Sequence, residues 1–178
     1  TEYSILLAEK LVSTIDGIDW AVFGKNGSDM TNWAMRVARE YTGRKRIAKV
    51  SHAYHGIDPW CVPGFGGLIT EDRSQIDNFY WNDIDSLTRL ITKYPQSHAA
   101  IFITPFHHPA FDDSGLPSAD FIDAIHAICE EYGILLILDD VRCGFRLHPN
   151  GSHKTYGWKP DLICYSKALG NGYPISAC

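Results

Sequence analysis

The stretch SADFIDAIHAICEEYGILLILDD, residues 118–140, decides how this chain folds. Its first part reads as a helix that Gly133 closes, since glycine takes the left-handed backbone of a helix end without steric cost. Its second part, ILLIL, is apolar without interruption, as a strand is when both faces of its sheet are covered. A helix running straight into such a strand is the repeating unit of a parallel α/β sheet.

The same alternation continues on both sides. EYSILLAEKLVSTI (2–15) has helical spacing and DWAVFG (19–24) follows as a short strand. SDMTNWAMRVAREYTG (28–43) predicts a helix capped by Ser28, with Met30, Trp33, Ala34 and Val37 as its apolar face and Gly43 as its end. RIAKVS (46–51) is the next strand. HAYHGIDPWCVPGFGGL (52–68) is too rich in Gly and Pro for regular structure. DIDSLTRLITKY (83–94) is helical, and HAAIFIT (98–104) and LICYS (162–166) are strands. The expectation is one α/β domain over residues 1–178, three layers deep, with a mainly parallel sheet.

Composition narrows the function. With 178 residues, 45% of them hydrophobic, the chain can bury a full core. A formal charge of −5 leaves no basic face for a nucleic acid. No apolar run reaches the roughly 18 residues that span a bilayer. The five cysteines are scattered, odd in number and form no CxxC pair, which points to free thiols in a reducing compartment and so to the cytoplasm. A threonine at position 1 and a strand-like YPISAC (173–178) suggest a piece of a longer polypeptide, continued on both sides.

Open parallel sheets bind ligands beyond the carboxyl ends of their strands. Four segments should meet there: Asn26-Gly27-Ser28, His52 to Gly56, Asp139-Asp140 and Ser166-Lys167. Two carboxylates ending an aliphatic strand are costly unless a cation stabilises them. With no histidine or cysteine at ligand spacing nearby, a protonated ring nitrogen suits them better than a metal. Lys167, 28 residues beyond Asp139, is a candidate amine nucleophile whose pKa burial would lower. One cofactor needs both groups: pyridoxal phosphate rides on a lysine as a Schiff base, and a carboxylate keeps its ring nitrogen protonated. Gly27 and Ser28, at a helix start, offer free N–H groups for its phosphate. Tyr54 is an aromatic partner for its ring. By contrast, adjacent His107 and His108 point apart and make poor joint metal ligands. PGFGGL (63–68) lacks the spacing of a dinucleotide loop.

FGKNGSDMTNWAMRVAREYTGR, AYHG, LILDDVRCGFR and KPDLICYSKALGNGYP, in that order, together resemble the class III pyridoxal-phosphate aminotransferases, a fold type I family that includes glutamate-1-semialdehyde aminomutase. The resemblance covers essentially all 178 residues and implies the cofactor-binding large domain of a homodimer, without the family's N-terminal segment and small C-terminal domain. It implies that Lys167 forms the Schiff base and moves a proton during amino transfer. It further implies that Asp139 binds the pyridine nitrogen, and that Val141 and Tyr54 cover the two ring faces, with His55 beside Tyr54. Gly27 and Ser28 would hold the phosphate. Substrates would be small amines and carbonyl compounds, with an intramolecular aminomutase as the alternative reaction. A non-catalytic binding protein that kept the fold is the alternative of another class. The chain departs from the family pattern at Lys25 to Asp29, at Asp140 (usually Glu), at His52 (usually Gly) and at Thr104 (usually Glu). Thr104, His52 and FHHP (106–109) are therefore candidates for the substrate side.

Overall fold

The computed structural model describes residues 1–64, 66–110 and 112–178. Their regular elements are α1 (Glu2–Thr14), β1 (Phe23–Gly24), α2 (Gly27–Thr42), β2 (Arg46–Val50), β3 (Ile76–Phe79), α3 (Ile84–Lys93), β4 (His98–Ile103), α4 (Ala119–Tyr132), β5 (Leu135–Asp139), α5 (His153–Tyr156), β6 (Leu162–Cys164) and β7 (Ser176–Ala177). β3-β2-β4-β5-β6 form a sheet in that order, parallel throughout. β7 runs antiparallel beyond it, tied by the Tyr165–Ala177 bridge, and pairs in turn with β1.

The expected three layers are present. Along each central strand the side chains alternate between two cores, as the pleat requires. Ile101, Ile103, Leu136 and Leu138 join Leu11 and Ile15 of α1, Leu87 and Ile91 of α3, and Phe121 and Ile125 of α4. Ala100, Phe102 and Ile137 face the other way, onto Met30, Ala34 and Ala38 of α2 and onto Trp60.

Three expectations need correction. Asn26, not Ser28, caps α2: its side chain accepts from the Asp29 N–H at 3.1 Å, and the Asp29 carboxylate accepts from the Asn26 N–H at 3.0 Å. Each side chain satisfies a donor that the helix start would otherwise leave open. The buried face of α2 is Met30, Thr31, Ala34, Met35 and Ala38, while Trp33 is exposed and Val37 only partly covered. DWAVFG yields a strand of two residues. β3 was not anticipated, because its sequence, IDNF, mixes polar and apolar residues as a sheet edge permits.

His52 has φ of 63°, the left-handed region where a side chain strains the backbone by roughly 1–2 kcal/mol. Its side chain is exposed, so it gains little packing in return. This explains the glycine expected there. His52→Gly should leave stability within about 1 kcal/mol of the parent, whereas β-branched His52→Val should lose at least about 1 kcal/mol. Urea midpoints of the three proteins check this.

Candidate active site

The sheet ends place one residue after another around a single cleft of about 700 Å³. Asp139 is the last residue of β5, and Tyr54 and His55 follow β2. Gly27 and Ser28 begin α2, and Lys167 stands three residues past β6. All seven predicted site residues, Gly27, Ser28, Tyr54, His55, Asp139, Val141 and Lys167, line this cleft.

Its floor is an anchored carboxylate. Asp139 is 6% exposed, and its Oδ2 lies 2.8 Å from His55 Nδ1. Its Oδ1 accepts from the Val141 N–H at 3.2 Å. His55 is itself locked: its ring is parallel to Trp60, at 6.5 Å between centroids, and tilted against Phe102 at 5.6 Å. The Thr31 hydroxyl donates to the His55 carbonyl at 2.7 Å, which ties this loop to α2.

Close approach explains two glycines. A Cβ at Gly27 would come within 2.8 Å of Val141 Cγ1, so a larger residue would push into the cleft wall. At Gly56 (φ 139°) a Cβ would stand 2.7 Å from Ser28 Oγ, the atom that accepts from the Ile57 N–H at 3.3 Å. The loop after β2 is thereby held down on the start of α2.

Lys167 differs from expectation in one respect. It is exposed rather than buried. It has φ of 37° and opens a short 3₁₀ turn, Lys167–Leu169, a strained backbone of the kind that persists where the surroundings fix it. Lys49, by contrast, is 3% exposed and is pushed down to about 8 by burial and then by Arg73. Its Nζ donates to the Ala53 carbonyl at 3.3 Å, and it does not line the cleft.

Asp140 has a different environment from its neighbour. It is fully buried, and its Oδ2 accepts from the Ser152 N–H at 2.8 Å, while Oδ1 has no partner among the described residues. Burial pushes its pKa up to about 7.

Of the residues expected on the substrate side, His108 and Pro109 line the cleft, but His52, Thr104, Phe106 and His107 do not. Thr104 instead closes a turn, its hydroxyl donating to the Phe106 carbonyl at 2.8 Å. His107 stacks on Trp81, 5.4 Å between centroids, so the two histidines do part company. Phe65, in the glycine-rich PGFGGL, lies outside the described residues. Sequence reasoning missed Ile57, Ala110 and Arg142 as cleft residues. The first two adjoin predicted ones, and Arg142 follows Val141 directly.

Known proteins match this chain in sequence and fold. The family model Aminotransferase class-III matches residues 70–178. The chain is 42% identical over 177 residues to an aminopentol aminotransferase of Sphingopyxis macrogoltabida, covering 99% of this chain and 42% of that protein. It is 37% identical over 190 residues to a glutamate-1-semialdehyde 2,1-aminomutase of Clostridium tetani, covering 99% and 44% respectively. Among solved structures, the FumI protein of Sphingopyxis sp. MTA144 in its PLP internal aldimine form superposes with a TM-score of 0.95 at 42% identity, over 99% of this chain and 43% of that one. This chain belongs to the class III aminotransferase family. It spans about two fifths of the length of the curated relatives it matches.

The raised pKa of Asp140 has a consequence for stability. An unfolded aspartate ionises near 3.9, so between about pH 4 and 7 the unfolded chain gives up a proton that the folded chain keeps. Asp140 therefore lowers stability as pH rises through that window, by on the order of 4 kcal/mol once complete. Asp140→Asn removes the ionisation and keeps an acceptor for Ser152. Its urea midpoint, relative to the parent, should be higher at pH 8 than at pH 5.

Proposed function

We propose that this chain is the cofactor-binding large-domain portion of a pyridoxal-phosphate-dependent aminotransferase. It would move an amino group between an amine or amino acid and a keto or aldehyde acceptor. The observation that carries the reading is the convergence of Lys167, the His55-anchored Asp139 and the start of α2 on one cleft. The residues suit the cofactor: a lysine amine, a carboxylate fixed from below, and a helix start kept open by Gly27. When bound, pyridoxal phosphate supplies an aldehyde for primary amines and a pyridinium ring that takes up the electrons released when a proton leaves the amine-bearing carbon.

The protein's own groups divide the remaining work. The N–H groups at the start of α2, a helix of 16 residues, would hold the phosphate dianion at the positive end of the helix dipole. Asp139 would hold a proton on the ring nitrogen; His55 and the Val141 N–H keep its carboxylate in place for that task. Val141 and Tyr54 would confine the ring from either side. Lys167 would carry the cofactor covalently and, once released by the incoming amine, take and return the proton at the amine-bearing carbon.

An intramolecular aminomutase is a second reading, favoured by the 37% identical relative of that name. Turnover without an added keto acid would select it. We place the protein in the cytoplasm as a homodimer. All five cysteines are free thiols, and Tyr3, Ile5 and Leu6 of α1 leave an apolar surface exposed for a second subunit. No helix among the described residues is long and apolar enough to cross a membrane.

Borohydride reduction of the full-length protein with its cofactor should fix the label on Lys167. A label on Lys49, Lys154 or Lys159 refutes the assignment, and no visible absorbance with added cofactor points to a non-catalytic binding protein. Lys167→Ala should abolish covalent attachment and lower turnover by at least about 10²–10⁴-fold. Asp139→Asn should keep the cofactor and lose most turnover, because an amide does not stabilise a protonated pyridine as a carboxylate does.

A further inference from the structure

Two of the free cysteines face each other across the strands that flank the Lys167 loop. Just past β6, Tyr165 exchanges both backbone hydrogen bonds with Ala177 of β7, at 2.7 and 2.9 Å. One step from that bridge, the antiparallel register sets Cys164 opposite Cys178. Their backbones are engaged elsewhere. The Cys164 carbonyl accepts from the Asp140 N–H at 2.9 Å, and Cys178 exchanges bonds with Val22 at 2.9 and 3.1 Å. Cys164 and Cys178 are therefore a non-hydrogen-bonded pair, the kind in which opposed Cα atoms lie about 4.5 Å apart and side chains come closest. A disulfide spans Cα atoms about 4.4–6.8 Å apart, so the register meets its reach. Both side chains belong to the core on the α2 side of the sheet, with Met30 and Phe102.

The two thiols differ in their surroundings. Cys164 is fully buried, and Cys178 is half-buried. The neighbouring Cys178 thiol, and after it burial, pushes Cys164 well above the usual thiol range, while Cys164 holds Cys178 below that range. The other three cysteines lie after β2, in α4 and after β5. Burial pushes Cys61, Cys129 and Cys143 up to about 12, 12 and 11. Cys178 is thus the readiest nucleophile of the five, with Cys164 beside it to complete an exchange.

We infer that Cys164 and Cys178 are a thiol modification site, which low-molecular-weight disulfides oxidise to a reversible cross-link at the base of the loop carrying Lys167. Residues 165–177 lie between the two, so the bond ties both ends of that loop together. Cys164 also pairs in register with Asp139, which puts the bond beside the cleft floor. In the first step Cys178 loses its proton and its sulfur attacks one sulfur of the small disulfide. That S–S bond breaks, and one small thiol leaves with the proton. In the second step Cys164 loses its proton and its sulfur attacks the Cys178 sulfur, and the other small thiol leaves. The protein gives up two electrons and two protons, and one small disulfide becomes two thiols. Excess thiol runs the exchange backwards, as suits a reducing compartment where disulfides are transient. This exchange is independent of the reaction proposed above.

The test incubates the full-length protein with oxidised glutathione and follows it by mass spectrometry. The parent should lose the mass of two hydrogens, and peptide mapping should join a Cys164 peptide to a Cys178 peptide. Dithiothreitol should restore both thiols. Cys164→Ser should instead stop at the mixed disulfide, with glutathione held on Cys178, and Cys178→Ser should leave Cys164 unmodified. Because the cross-link restrains local opening of the loop, amide exchange across residues 165–174 should slow at least about threefold in the oxidised parent. Cys178→Ser treated in the same way should show no such change. A parent that stops at the mixed disulfide, does not react, or joins either residue to any other cysteine overturns the pairing. Unchanged amide exchange in the cross-linked parent overturns its effect on the Lys167 loop. Both readings come from the parent itself, so neither depends on how a variant folds.

Discussion

The cleft is organised around a carboxylate that is nearly buried. Removing Asp139 from water is costly unless donors replace the lost hydration. The Val141 N–H and His55 Nδ1 supply them. Because His55 belongs to the loop after β2, its bond to β5 fixes the position of that whole loop, and with it Tyr54. Trp60 and Phe102 then fix the ring of His55, and Phe102 is itself a core residue of β4. One electrostatic requirement is thus met by three elements of the sheet and by the core beneath them.

The adjacent residues Asp139 and Asp140 show that environment, rather than residue type, assigns a role. Both end the same apolar run. Asp139 meets two donors and opens on the cleft, whereas Asp140 turns into the protein, meets one backbone donor and is pushed towards neutrality. A group that burial pushes towards neutrality near physiological pH serves poorly as a fixed counter-charge for a cation.

Much of this was legible in the sequence. Short uninterrupted apolar runs that alternate with helical segments read as strands covered on both sides, and from them follow the parallel sheet, its three layers and the edge where loops converge. The seven residues that line the cleft as expected could be named because each sits shortly beyond a recognisable element. What escaped did so for physical reasons. Asn26-Gly27-Ser28-Asp29 offers two side chains able to cap a helix, and only the reciprocal pairing of Asn26 with Asp29 decides between them. The phase of α2 is off at Trp33 because Met30, Trp33, Ala34 and Val37 keep helical spacing as well as the face that is buried, Met30, Thr31, Ala34, Met35 and Ala38. β3 carries no clean alternation, since an edge strand is covered unevenly. The exposure of Lys167 follows from a turn whose strained backbone no periodicity reveals.

Arg142 marks the limit of reading along a chain. In sequence it is one arginine beside a predicted ring contact, and His108 is the second of two histidines without ligand spacing. Their meeting, with Arg142 Nη1 3.1 Å from His108 Nδ1, depends on β4 and β5 being neighbours in the sheet, so that the loops leaving their carboxyl ends face each other. Strand order, which local pattern does not encode, therefore selects which polar groups from different loops come within reach. Residues adjacent to strand ends can be read one segment at a time. Pairs that meet across loops become visible only when the order of the strands is known.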